Sequence, residues 1–233
     1  MEPKAFSNTA ILIFARSPHL EAKAKPLAKS PKKAARIAQL LHRHTKVTCQ
    51  RSHIPTFLID EAQQEGHNFG QRLASAYRII FEKGYKRVIA IGNDCPSLKT
   101  SDLLYAQKQL LGNEVVLGPA LDGGLYLIGM TKAAFERIDF DDLCWQSACL
   151  SQKIKASCYQ LGLPLALLAP AEDIDSADRL MQVIRSLSPA LAVKKALHDL
   201  YILKIVAQTF LFIWSQHLLL SIPILRGPPL PKV

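Results

Sequence analysis

The stretch RVIAIGNDCP, residues 87–96, decides the fold. Val88 to Ile91 is a short, unbroken apolar run, the pattern of a strand covered on both faces. Gly92 ends the run, Asn93 and Asp94 stand at its carboxyl tip, and Pro96 stops the ladder from continuing. In parallel α/β sheets, ligands sit outside the carboxyl ends of the strands. A carboxylate held at such a tip can bind a hard divalent cation, and the cation can bridge paired phosphates. The plainer reading of Asp94 is a cap on the following turn.

The sequence alternates on either side of this strand. Residues 9–15 (TAILIFA) form a second continuous run, read as a buried parallel strand, followed by a polar, lysine-rich loop. Ser30 and Pro31 open a helix as N-cap and first residue, with Ala34, Ile37, Ala38, Leu40 and Leu41 on one side, ending near His44. Residues 55–60 form a short strand, and residues 69–83 a helix stopped by Gly84. Beyond the deciding stretch, a helix starts after Thr100 or Ser101 and stops at Gly112. Residues 115–120 and 125–130 are strands, and short helices follow over 131–137 and 146–157. A late strand, 165–168, precedes a helix over 176–186 capped by Ser176 or Asp175. This order predicts an α/β fold with a mostly parallel central sheet and helices on both faces. Residues 1–188 read as one domain, and 189–233 as an apolar helical extension.

Composition narrows the function classes. A chain of 233 residues that is 49% hydrophobic can build one good-sized core with an appendage. At 21% charged it is not a disordered composition. The net charge of +10 fits a polyanion, a membrane surface or a phosphate-bearing small ligand. No zinc-finger spacing, RNP-like aromatic run or basic helix with heptads is present, so a nucleic-acid partner is not expected. Lys23, Lys25, Lys29, Lys32 and Lys33 sit just after the first strand, where a phosphate group would lie. A solvated basic face is the alternative. The five cysteines include no C-x-x-C pair, and no apolar leader precedes them. The expectation is a cytoplasmic chain with reduced thiols used mostly in packing.

Three further segments carry candidate chemistry. In Glu172-Asp173-Ile174-Asp175 the two aspartates share a side if the segment is extended, so one could complete a metal site with Asp94. Asp175 as helix cap is the competing reading. Leu121-Asp122-Gly123-Gly124 reads either as a hairpin turn or as a ligand loop. In the second case the glycines admit a ligand and Asp122 serves as a general base. Gly66 to Arg72 opens a helix whose free N–H groups suit a base or ribose, and an ordinary loop and cap explain it equally.

Taken in order, IFARSPHLEAKAKPL (13–27), QQEGHNFGQRLASA (63–76), VIAIGNDCPSL (88–98), VVLGPALDGGLYLIGM (115–130) and EDIDSADRL (172–180) resemble a known family. It is the bacterial glycosyltransferase-A-like family known for arsenosugar-biosynthesis-type and uncharacterised glycosyltransferases. The resemblance covers about residues 9–186, and the pairing of GNDCP with GPALDGGLYLIG is its specific part. It implies a Rossmann-like glycosyltransferase-A fold that binds a nucleoside-diphosphate sugar with Mg²⁺ or Mn²⁺ and glycosylates a small acceptor. By position, Asp94 and Asp175 fall on the metal-binding aspartates, with Asn93 beside the donor. Asp122, Gly123 and Gly124 fall on the acceptor-side element, with Asp122 as the catalytic candidate. Gly66, Gly70 and Arg72 fall on the glycine-containing donor segment. Trp145-Gln146-Ser147 matches a W-[GS]-T element loosely.

The first loop departs from the family's A-K-A-P-x-P-G-x-V-K-T-R-L pattern: the glycine is gone and Pro26 stands at the arginine position. Arg16, Lys23 and Lys25 remain as phosphate-side cations. Two alternatives follow. One is nucleotidyl transfer of the guanylyltransferase type, which needs a glycine-rich first loop that this chain lacks. The other is an inactive nucleotide-binding protein. The apolar residues 200–225 are read as a helix packed on the domain or on a second subunit, as a membrane-surface contact, or as a tail foreign to the fold.

Overall fold

A computed structural model describes residues 8–188 and 192–200 of the chain. Six strands form one sheet in the order β2-β1-β3-β5-β4-β6. These are β1 (Thr9–Phe14), β2 (Thr56–Ile59), β3 (Arg87–Ile91), β4 (Val115–Pro119), β5 (Leu125–Thr131) and β6 (Leu165–Leu167). Strands β2, β1, β3, β4 and β6 run the same way, and β5 is antiparallel to both of its neighbours. The exception has a simple cause. Only five residues join β4 to β5, enough for a hairpin and far too few for a crossover. The expected mostly parallel sheet is therefore observed, with one reversed strand.

Alternation along each strand feeds two cores. Ala10 and Leu12 of β1, with Val88 and Ala90 of β3, pack under α3 (Phe69–Glu82), α5 (Lys132–Arg137) and α6 (Leu150–Gln160). Ile11 and Ile13, with Ile89 and Ile91, face α2 (Pro31–Ser52) and α4 (Thr100–Gln109). Every one of these strand residues is at most 3% exposed, the double burial that the continuous apolar runs require. A third cluster joins Ile37 and Leu41 of α2 to Leu180, Val183 and Ile184 of α7 (Ala177–Ser186). Residues 192–200 are helical, and Val193 and Leu197 are buried in that cluster. The readings placed on the rest of 189–233, including the 200–225 contact, lie outside the described residues. Among the described residues no helix is long and apolar enough to cross a membrane.

Three elements differ from the sequence expectation. Residues Pro18–Ala24, read as loop, form a short helix, α1. It has no apolar stripe to announce it; Glu21 and Lys25 instead pair one turn apart. Helix α2 continues past His44 to Ser52, because its buried face carries on in small and polar residues: Thr45, Thr48, Cys49 and Ser52. It ends with His53 in the left-handed conformation, φ 56°, without the usual glycine. Helix α6 begins at Leu150, later than expected, so that residues 146–149 form a loop in which Gln146 is left-handed, φ 60°.

Tyr77 of α3 is fully buried, and its hydroxyl donates to the Ile128 carbonyl across 2.6 Å. Removing that hydroxyl leaves a buried acceptor short of one donor. Tyr77→Phe is expected to cost about 1 kcal/mol, read as a fall of about 2–4 °C in the thermal midpoint for a domain of this size. An unchanged midpoint would show that the bond contributes nothing net.

Candidate active site

The strand directions place five loops on one edge of the sheet. Strands β1, β2, β3, β4 and β6 end there, the loop after β4 leading into β5. The loops enclose a cleft of about 810 Å³. Backbone bonds tie the late acidic segment into it: Ile174 N donates to Asp94 O (2.9 Å), and Ala171 N to Pro119 O (3.0 Å). The start of α7 is held against the first loop by Ala177 N donating to Pro26 O at 3.0 Å.

Lys25 is the centre of the charge network. Its Nζ lies 2.6 Å from Asp94 Oδ2, 2.7 Å from Asp175 Oδ1 and 3.1 Å from Glu21 Oε1. It also donates to the Ile174 carbonyl at 3.4 Å. Burial alone would lower the lysine pKa, but the charges of Asp94 and Glu21 and the bonds to Asp175 and Asp94 hold it above its ordinary value. The side chain is 16% exposed, so an ammonium here requires its carboxylates. Asp94 and Asp175, expected as metal ligands, therefore meet across a lysine. Lys25, expected to face a phosphate, is occupied by carboxylates.

The hairpin Ala120–Gly124 supplies Asp122. Gly123 takes φ 93°, and Asp122 Oδ1 accepts from Gly124 N at 2.8 Å. One carboxylate oxygen each from Asp122, Asp173 and Asp175 falls within 4.8 Å of the others. Three hard oxygen donors suit Mg²⁺ or Mn²⁺, and Asp94 lies outside this group of three. Ser176, not Asp175, caps α7, through Arg179 N donating to its Oγ at 3.2 Å. That leaves Asp175 to the cleft. Asp173 is pushed up to about 7 by burial first, then by the charges of Asp94, Asp122 and Asp175.

The remaining expected residues divide. Arg16, Gly66, Arg72, Asn93 and Gly124 line the cleft. Lys23 lies in the last turn of α1, exposed, and is not a lining residue. Gly70 does not line it either: a Cβ there would overlap the Trp145 indole and the Phe140 carbonyl, so its service is close packing. Gly123 is held against the Ala148 carbonyl in the same way. Two of the N–H groups around the start of α3 are already engaged. Gln71 N donates to the Asn68 side chain at 2.8 Å, and His67 N to Gln71 Oε1 at 3.1 Å. Asn93 is 5% exposed, and among the described residues its Nδ2 has no hydrogen-bond partner. A buried donor left unpaired in a cleft wall is unfavourable until a ligand acceptor meets it.

Several lining residues were not singled out as site residues by sequence. Glu21 and Glu61 carry charge into the cleft, and Trp145, Gln146, Ser147 and Ala148 form one wall. The i,i+4 spacing of Glu21 and Lys25 was the one available signal for the first of these. Trp145 donates from its indole N–H to Phe140 O at 2.6 Å and packs on Phe69, ring centres 5.5 Å apart. In the first loop, Ser17 N donates to Glu61 Oε2 at 2.6 Å. Across the lining as a whole, six carboxylates face three cationic side chains, Arg16, Lys25 and Arg72. The cleft is acidic in a basic chain.

Comparison with known proteins places this geometry. Residues 31–147, half of the chain, match the family described as an uncharacterized protein conserved in bacteria (DUF2064). No curated protein matches the sequence. The structure is similar to a provisionally named nucleotide-diphospho-sugar transferase from Desulfovibrio desulfuricans G20, with a TM-score of 0.74 and 22% identity over 83% of this chain and 95% of that one. Weaker similarity links it to a cytidylyltransferase from Leptospira borgpetersenii (TM-score 0.47, 13% identity, 87% and 94% covered). A manganese complex of a Mycobacterium tuberculosis H37Rv protein is more distant (TM-score 0.43, 10% identity, 77% and 99% covered). The first of these likenesses establishes the Rossmann-like fold expected from the sequence. The chain belongs to the DUF2064 family.

Proposed function

We propose that the cleft binds a nucleoside-diphosphate sugar and transfers the sugar to a small acceptor, with Mg²⁺ or Mn²⁺ as cofactor. The observation that carries this reading is the acidic cleft itself. Carboxylates from three separate strand-end loops converge where an α/β sheet binds ligands. A diphosphate cannot enter a wall with twice as many carboxylates as cations unless further positive charge comes with it. Asp122, Asp173 and Asp175 are the residues to hold a divalent cation, which supplies neutralisation of the departing nucleoside diphosphate.

The chain's own groups take the other roles. Lys25 fixes Asp94 and Asp175 in place and keeps one permanent positive charge beside them. Arg16 and Arg72 sit on the donor side of the lining, and the unpaired Asn93 amide offers a hydrogen bond to a donor oxygen. Gly66, φ 138°, brings bare backbone to the same wall. Asp122, on the exposed hairpin, is our candidate to accept the proton of an attacking hydroxyl, in which case Asp173 and Asp175 are left to hold the cation. Nucleotidyl transfer fits less well. It calls for first-loop amides free to receive phosphate oxygens, whereas here Ser17 N is bonded to Glu61 and helix α1 follows at once.

A thermal-shift screen of nucleotide sugars, each with and without Mn²⁺, tests the reading. One sugar nucleotide is expected to stabilise the protein in a Mn²⁺-dependent way, by about 2.7 kcal/mol at a hundredfold excess over Kd. Asp175→Asn keeps an acceptor for Lys25 and should abolish the Mn²⁺-dependent part. A full response in that variant would remove the metal assignment, and no response to any nucleotide sugar would remove the function.

The metal-free protein makes a separate prediction. Asp173 holds its proton up to about pH 7 in the fold, whereas the unfolded carboxyl releases it near its ordinary value of 3.8. Stability from this group is thus full below about pH 4 and is lost as pH rises towards 7. Asp173→Asn should leave the midpoint unchanged at pH 4 and raise it at pH 8. Identical pH profiles for the two proteins would contradict the burial of a shared proton there.

A further inference from the structure

The cleft wall formed by residues 145–148 is bracketed by two cysteines, Cys144 and Cys149. They differ from the other three. Cys49, Cys95 and Cys158 are buried, and burial pushes their thiols up to about 12, 12 and 11. Those are inert packing groups. Cys149 is exposed and Cys144 half-buried, and each lies within hydrogen-bonding reach of the other's thiol. Ser147 holds the pair in register. Its Oγ donates to the Cys144 carbonyl at 2.6 Å and lies 3.0 Å from Cys149 Sγ. Gln146 takes φ 60° to close the loop, which brings positions five apart in sequence together.

The surroundings favour a thiolate at Cys149. The residue stands at the N-cap of α6, an 11-residue helix, where the backbone dipole favours negative charge. The hydrogen bond from Cys144 is the first cause that lowers its pKa, with Lys153 contributing; the Ser147 hydroxyl proton serves either this sulfur or the Cys144 carbonyl. Lys153 is itself paired with Asp142 at 3.0 Å.

We propose that Cys144 and Cys149 form a redox-active dithiol that closes to an intramolecular disulfide and thereby reshapes the Trp145–Ala148 wall of the cleft. With a hydroperoxide as oxidant the chemistry balances. The Cys149 thiolate attacks the peroxide oxygen, and the O–O bond breaks to leave a sulfenic acid and one water. The Cys144 sulfur then attacks the sulfenic sulfur; the S–S bond forms, the S–O bond breaks, and a second water leaves with the Cys144 proton. Two thiols are oxidised and one hydrogen peroxide is reduced to two waters. Drawing the two sulfurs into a covalent bond competes with the Ser147 contact to Cys149 Sγ, and Trp145, next to Cys144, is expected to shift against Phe69 and Phe140. Control of ligand entry rests on the proposed cleft function; the disulfide does not.

The test uses the full chain carrying Trp214→Phe, which leaves Trp145 as the single tryptophan. After reduction and exposure to hydrogen peroxide, the tryptic peptide spanning residues 138–153 contains only these two cysteines. It is expected to lose two hydrogens, resist alkylation, and recover both thiols with dithiothreitol. Trp145 emission should shift with the same time course, and Cys149→Ser and Cys144→Ser should each abolish both signals. Two alkylatable thiols after oxidation, or sulfinic acid on Cys149 alone, would overturn the proposal. A disulfide with unchanged Trp145 emission would overturn its control of the cleft. Mass and emission are read without a nucleotide, so failure here is separable from failure of the transferase reading.

Discussion

The Lys25 ammonium, shared among Asp94, Asp175 and Glu21, is the constraint on which the site depends. The three acids come from distant parts of the chain: α1, the tip of β3 and the loop before α7. No other described group joins all three. A charge this poorly solvated is tolerated only because its partners are fixed, and the partners repel one another without it. The same lysine therefore organises the fold at its carboxyl edge and sets the electrostatics of the cleft. It also changes the meaning of Asp94. A carboxylate at a strand tip would ordinarily be free for a cation from solution; here its Oδ2 is already satisfied by an internal one. The carboxylates that cluster within 4.8 Å are instead Asp122, Asp173 and Asp175, of which Asp175 also pairs with Lys25.

That displacement depends on the sheet. With β5 antiparallel, the β4–β5 turn returns to the same edge as the tips of β1 and β3. Asp122 stands at this edge because β4, like β1 and β3, ends there, and the tight turn into β5 keeps it beside the strand tips. The isolated bridge between Ala120 and Ala171 then fixes the late loop alongside the hairpin. In this way Asp173 and Asp175 come beside Asp122, about fifty residues away in the chain. Hydrophobic burial provides the platform: β1 and β3 are sealed on both faces, so their tips are rigid relative to each other.

The acidity of the cleft reverses what the net charge suggests. Most of the excess positive charge lies elsewhere; Lys23 is one example, exposed on α1 away from the lining. Glu61 and Glu21 also hold first-loop groups, Ser17 N and Lys25, that a phosphate would otherwise meet. In the first loop, the one segment that departs from the family pattern, Ser17 N and Lys25 are thus already met by carboxylates. The Trp145–Ala148 part of the lining carries no charged side chain.

The sequence by itself determined the strands and their order, because continuous apolar runs such as Val88–Ile91 admit few other structures and periodicity is a local property. It also placed Asn93, Asp94 and the acidic segment 172–175 just beyond strand ends, where such sheets bind ligands, and Asp122 in a turn between two strands. The tertiary structure alone decided who pairs with whom. That Lys25 faces carboxylates and not phosphate, that Gly70 and Gly123 serve packing, and that Asp173 joins Asp122 all depend on side-chain directions set by contacts distant in sequence. Helix α1 stayed hidden for the same reason: its stability comes from the Glu21–Lys25 pair and its partners across the cleft, and no local apolar pattern records them.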